Sequence, residues 1–170
     1  MSNTASLPQS GFSSSAPDKS DIRWFVCFLL FLATTINYMD RNVFGYVEPL
    51  LHNAPFMGWD HFADKFHQPV FDNNFGNVVI FFQIAYGVGL LISGRVVDRL
   101  GTKAGYAIAI AVWGLASMSH SLVTSVVGFY IARVCLGLGE AGNFPAAIKA
   151  TSEWFPSEER ALATGIFNSG

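Results

Sequence analysis

The chain has 170 residues, 51% of them apolar and only 13% charged, with a net charge of −2 at pH 7. A soluble domain carries roughly a quarter charged residues, so the composition argues against one, and the near-neutral balance offers no footprint for nucleic acid. The apolar residues are gathered into long runs, the pattern of helices that cross a bilayer. The reading is an all-α integral membrane protein.

Residues 1–22 begin with "MSNTASLPQSGFSSSAPDKS", rich in Ser and Pro and without periodicity; they read as a disordered tail with no charged n-region of a signal peptide. Arg23 and Trp24 mark an interface, and "FVCFLLFLATTINYMDRNVFGYVEPL" carries the first span over about 24–48. A polar, aromatic-rich connection follows over 52–74, in which "WDHFADKFHQPVF" suits either a small amphipathic helix or an irregular loop. Further spans are expected over about 76–97, 104–120 and 126–150, with a last one beginning near 160 and running to 170. Pro145 predicts a kink in the fourth span. Ser157 is placed to cap the fifth, with Glu158 and Glu159 at the positive end of its dipole. Arg95, Arg99 and Lys103 cluster in the connection between spans two and three, which puts that loop and the amino terminus on the cytoplasmic side.

Cys27 and Cys135 both lie inside apolar runs and read as small packing residues. His52, His61, His67 and His120 lack metal-ligand spacing, so no metal and no cofactor is expected. No nucleophile–base pair appears either, which argues against an enzyme. Tyr38, Asn37 and Gln83 could line a cavity or bond a neighbouring helix, whereas Tyr86 and Trp113 read as packing residues.

Charges at membrane depth are costly unless paired or facing water. Four stand out: Asp40 and Arg41 in the first span, Arg133 and Glu140 in the fourth. Residues seven apart on a helix project about 20° from one another and lie about 10 Å apart along the axis, so Arg133, Gly137 and Glu140 share a face. Counting about 1.5 Å per residue from Trp24 and from Val126 puts Asp40, Arg41 and Arg133 at comparable depth. Glu140 falls nearer the midplane. Two arginines at one level can grip a carboxylate or phosphate through their planar forks of donors. Two carboxylates beside them can carry protons, and an anion bound to the arginines would loosen their hold on those carboxylates. The same four residues also admit a structural reading, as pairs that satisfy one another or absent helices.

Three stretches carry a resemblance. "GRVVDRLGTK" (94–103) resembles the loop signature of the major facilitator superfamily, glycine-x-x-x-aspartate-arginine-x-glycine-x-basic. "RVCLGLGEAG" (133–142) resembles its fourth-helix signature. "NYMDR" (37–41), with "GEAGNFPAAIKATSEWFPSEERALATGIFN" (139–168), is similar to the anion:cation symporters and, within them, to the hexuronate and sugar-acid transporters. The resemblance covers about residues 23–170. It implies two six-helix halves with substrate held between them near mid-membrane, of which this chain would supply about four helices and the start of a fifth, as an amino-terminal fragment of a longer protein. The implied function is proton-coupled import of an organic anion across the inner (plasma) membrane, with the remaining carboxyl-terminal helices as partners. The alternatives are an exchanger or symporter of another anion, or a small non-transporting membrane protein. Carried over by position, Arg41, Arg133 and Tyr38 match substrate-binding residues, and Asp40 and Glu140 match proton-coupling positions. Gly94, Asp98, Arg99, Gly101 and Lys103 match the cytoplasmic gating loop.

Overall fold

The computed structural model describes residues 19–51 and 68–170, and every regular element among them is helical. Most of the tail, and residues 52–67 of the first connection, lie outside the described residues, so the amphipathic-helix reading falls there too. Helix α1 spans Lys19–Leu51, α2 Gln68–Leu100, α3 Thr102–Ser119, α4 Val126–Glu140, α5 Asn143–Trp154 and α6 Arg160–Asn168, with a short 3₁₀ turn at His120–Leu122. Helix α1 thus already holds the last residues of the stretch read as tail. Helix α2 takes in residues 68–74, which had been read as connection.

Helices α1 and α2 are long and apolar enough to cross a membrane, and only 22% of each apolar window is buried. Phe25, Phe28, Leu91, Leu115 and Ile131 all point outward. A water-soluble bundle would bury such side chains, whereas lipid accommodates them.

The turn from α2 to α3 is made by Gly101 alone, at φ +83°, a left-handed conformation that side chains with a Cβ resist. At the other end of α3, Ser125 starts α4 by accepting the Gly128 amide on its hydroxyl. Helix α4 packs between α2 and α3, while α1 packs chiefly against α6 and α5. The closeness of α4 to its neighbours depends on glycine. A Cβ on Gly137 would meet Phe82 O of α2 at 2.7 Å, and one on Gly139 would meet Trp113 N of α3 at 2.6 Å. Those glycines therefore admit the neighbouring helices α2 and α3.

The fourth span is divided. Pro145 has no amide hydrogen to offer Ala141 O, and Ser93 Oγ of α2 donates to that carbonyl instead, at 3.2 Å. Just before it the ladder tightens, with Gly142 N bonding Gly139 O at 3.2 Å. The break at Ala141–Gly142 separates α4 from α5.

At the end of the bundle that holds Gly101, Arg23 pairs with Glu159 at 3.1 Å, and Trp24 packs edge-on against Phe155 at 5.2 Å. These contacts tie the start of α1 to the α5–α6 link. Ser157 does not cap α6; its hydroxyl donates to Glu158 Oε1, and Glu159 occupies the cap position without a side-chain capping bond. Cys27 is buried against Ala163, whereas Cys135 is exposed on α4.

Candidate functional site

Helix α1 turns one stripe of residues toward the rest of the bundle: Leu30, Thr34, Asn37, Arg41 and Phe44 follow the three-and-four spacing of a single helical face. Thr34 bonds its own helix through Leu30 O at 2.9 Å, so its hydroxyl is satisfied locally. Farther along the stripe the polar groups reach across to other helices. Arg41 Nε donates to Glu140 Oε2 at 2.9 Å, and the Arg41 guanidinium stacks 4.0 Å from the centre of the Tyr86 ring. Asp40 Oδ2 accepts the indole N–H of Trp113 at 2.7 Å. The two acidic residues thus have separate partners on separate helices.

Arg133 is only 6% exposed, yet among the described residues it forms no ion pair, and its Nε has no hydrogen-bond partner. Its guanidinium carbon lies 3.5 Å from the centre of the Phe44 ring, with Phe82 on another side at 5.8 Å. Ring faces attract a cation, but they do not neutralise it. Arg41 and Arg133 both line a cavity of ≈ 230 Å³, together with Phe44, Phe75, Phe82 and Gln83. A second cavity of ≈ 200 Å³ places Asp40, Ser117, His120 and Arg133 around one space. Tyr38 stands at a smaller cleft shared with Asn37, Arg41, Tyr86 and Glu140. A larger groove of ≈ 290 Å³ between α2, α3 and α4 has Ser93 as its one polar side chain and offers nothing for an anion.

The structure therefore gathers Tyr38, Asp40, Arg41, Arg133 and Glu140 into one region along the second halves of α1 and α4. Gly94, Asp98, Arg99, Gly101 and Lys103, expected from sequence to form a gating loop, lie apart from it, around the α2–α3 turn. There Asp98 pairs with Lys149 of α5 at 2.9 Å, and Lys149 also donates to Val97 O at 3.1 Å. Arg99 and Lys103 are exposed, and a Cβ on Gly94 would meet nothing within 4 Å.

Sequence reasoning missed Lys149, Phe44 and Phe82, and took Tyr86 and Trp113 for packing. Lys149 had one signal, as the single basic residue of α5. The aromatic partners had none, because nothing in a run of apolar residues says which ring will face an arginine.

A family model described as Major Facilitator Superfamily matches residues 30–170. The chain belongs to the major facilitator superfamily. Among curated relatives it is 32% identical over 149 residues to a galacturonate transporter of Dickeya chrysanthemi, covering 88% of this chain and 39% of that one. It is 32% identical over 149 residues to the hexuronate transporter of Escherichia coli K12, covering 88% of this chain and 32% of the relative. A probable galactarate/D-glucarate transporter of Bacillus subtilis is 32% identical over 160 residues, covering 91% and 32% respectively. The chain thus spans a third or slightly more of the length of these relatives. No solved structure matches it. Membership of this superfamily makes it a membrane protein and accounts for the apolar residues turned outward on α1 and α2.

Proposed function

We propose that the chain is part of a secondary transporter that carries an organic anion together with protons, with a hexuronate or related sugar acid as its substrate. The observation that carries this reading is Arg133, a buried guanidinium with no carboxylate paired to it among the described residues. A buried cation without a counter-charge is costly, and an anionic substrate entering the ≈ 230 Å³ cavity would supply that charge. The names of the relatives favour a sugar acid as that anion.

Arg133 and Arg41 are assigned to the substrate carboxylate, with Tyr38 as a further contact. Arg41 is held by Glu140 in this state, so an anion that draws Arg41 away leaves the Glu140 carboxylate enclosed without its cation. Protonation then becomes favourable, and this is how proton and substrate would travel together. Asp40 is assigned the second proton. Alternating access would let the site face each side in turn, with helices of the longer protein completing its wall. The loop of Gly94, Asp98, Arg99, Gly101 and Lys103 is assigned to the cytoplasmic gate, with the amino terminus on that side of the inner membrane.

The test uses the full-length protein in proteoliposomes, following labelled glucuronate and galacturonate with and without an inward proton gradient. Gradient-driven uptake should be lost in Arg133→Ala, and Arg133→Lys should not restore it, because a point charge cannot replace a planar fork. Glu140→Gln should retain substrate exchange and lose accumulation. Wild-type uptake in both Arg133→Ala and Glu140→Gln returns these residues to structural roles. Absence of sugar-acid uptake by an intact wild-type protein sinks the substrate assignment.

A further inference from the structure

Helices α1 and α3 are not packed side by side: α1 lies mainly against α5 and α6, and α3 against α4 and α2. Between them is the ≈ 200 Å³ cavity lined by Asp40, Ser117, His120 and Arg133. A single hydrogen bond among the described residues joins α1 to α3 across this region, from Trp113 Nε1 to Asp40 Oδ2 at 2.7 Å.

Trp113 itself is fixed. It is 6% exposed, packed with Phe82, Ala116 and Leu136, and its backbone lies where Gly139 of α4 leaves room for it. The residue after Gly139 is Glu140, the partner of Arg41. A rigid indole therefore holds one carboxylate, while its own backbone rests beside the residue that precedes the other.

We propose that Trp113 is a positioning residue for Asp40, holding the ionised carboxylate toward α3 and releasing it when the carboxylate takes a proton. The inference rests on the reading of Asp40 as a proton carrier. Indole N–H is a donor only, and it bonds a charged acceptor more strongly than a neutral one. Protonation of Asp40 thus weakens the one hydrogen bond that joins α1 to α3 across this cavity among the described residues, and α1 becomes freer to move relative to α3. The other charged or titratable groups within electrostatic reach of Asp40 are Arg133 and Glu140 of α4 and His120 at the end of α3. Arg41 adjoins it on α1 itself.

Four tryptophans occur in the sequence, so replacing Trp24, Trp59 and Trp154 with Phe leaves Trp113 as the only indole reporter in this part of the protein. In the full-length protein, with tryptophans of the remaining helices also replaced, Trp113 emission should shift between alkaline and acid pH. The shift should vanish in Asp40→Asn and persist in both His120→Gln and Glu140→Gln. In proteoliposomes Trp113→Phe, which keeps a ring in the packed site and removes the donor, should displace the pH dependence of gradient-driven uptake. On Asp40→Asn, which keeps substrate exchange and loses accumulation, Trp113→Phe should leave the pH dependence of exchange unchanged. Emission indifferent to pH overturns the inference, as does a shift that survives Asp40→Asn or disappears with His120→Gln. A Trp113→Phe protein with the wild-type pH profile overturns it too. Emission needs no transport, so a protein whose Trp113 follows Asp40 but which moves no sugar acid would sink the symporter reading and leave the Trp113–Asp40 contact standing.

Discussion

Arg41 and Glu140 form a 2.9 Å ion pair in which the glutamate side chain is fully enclosed while 26% of the arginine side chain remains exposed. The asymmetry matters. The carboxylate is enclosed and depends on Arg41, and its second oxygen, Oε1, has no hydrogen-bond partner among the described residues. The arginine is less enclosed and has three aromatic neighbours, Tyr38, Phe82 and Tyr86. Arg41 can leave at lower cost than Glu140 can be left behind.

Removing one partner of this pair should therefore cost more than removing both. Arg41→Met alone is expected to destabilise by about 3 kcal/mol, the low end for a broken buried pair because the arginine is only partly enclosed. Arg41→Met combined with Glu140→Gln should recover more than half of that loss. Thermal unfolding of the full-length protein in detergent measures both. Losses that simply add would mean that the two residues are not coupled.

The glycines between helices divide sharply by what surrounds them. Gly139→Ala would drive a Cβ to 2.6 Å from Trp113 N and 2.8 Å from its Cα, both backbone atoms that no rotamer change can move. A loss of about 1–3 kcal/mol is expected from such overpacking. Gly114→Ala, on the same α3, meets nothing within 4 Å. It should be neutral or stabilise by about 0.5–1 kcal/mol through helix propensity. Melting temperatures moving in these opposite directions would verify the α3–α4 interface.

Lys149 has two partners that differ in exposure, which separates their contributions. Asp98 is 73% exposed, so the Lys149–Asp98 pair is screened, and Asp98→Ala should cost no more than about 0.5 kcal/mol in stability. Val97 O, in the last turn of α2, is buried backbone that accepts the other Lys149 bond. Lys149→Met loses that bond as well and should cost about 1 kcal/mol more. Added salt should shrink the Asp98 contribution and leave the carbonyl contribution in place. Equal effects of the two substitutions at all salt concentrations would show that the carbonyl bond contributes nothing.

The sequence revealed those parts of the molecule that depend on repeat spacing or on isolated chemistry. Asp40, Arg41, Arg133 and Glu140 are legible because charges are rare in apolar runs, and helical rise alone puts the first three at similar depth. Gly101 is singled out by the resemblance of 94–103 to a loop signature, and the structure gives its reason as a one-residue turn with a left-handed backbone. What the sequence could not show was the choice of partner. Arg133 and Glu140 lie seven apart on α4, which suggested that they might satisfy each other, but Glu140 turns to α1 while Arg133 faces the Phe44 ring. That choice depends on how α1 crosses α4, a relation between segments about a hundred residues apart. Trp113 was read as packing for the same reason: its ring is indeed packed, and only the position of α1 gives its N–H an acceptor.

The break between α4 and α5 shows how a local rule is completed by a distant residue. Pro145 removes the amide that would have bonded Ala141 O, and Ser93 of α2 fills the gap at 3.2 Å, while its hydroxyl also lies 3.3 Å from Leu90 O of its own helix. One hydroxyl hydrogen cannot serve both carbonyls fully, so Ser93 spends its bond where the proline has left an acceptor enclosed. Ser93→Ala should then cost about 1 kcal/mol in the wild-type background. Pro145→Ala restores a backbone donor beneath the same carbonyl, and in that background Ser93→Ala should be close to neutral. The two substitutions thus form a cycle whose coupling, read from thermal melts of all four proteins, should be about 1 kcal/mol. If the cost of Ser93→Ala is unchanged by Pro145→Ala, the hydroxyl is not replacing the missing amide, and the break must be held by the packing of Gly142 against Ala109.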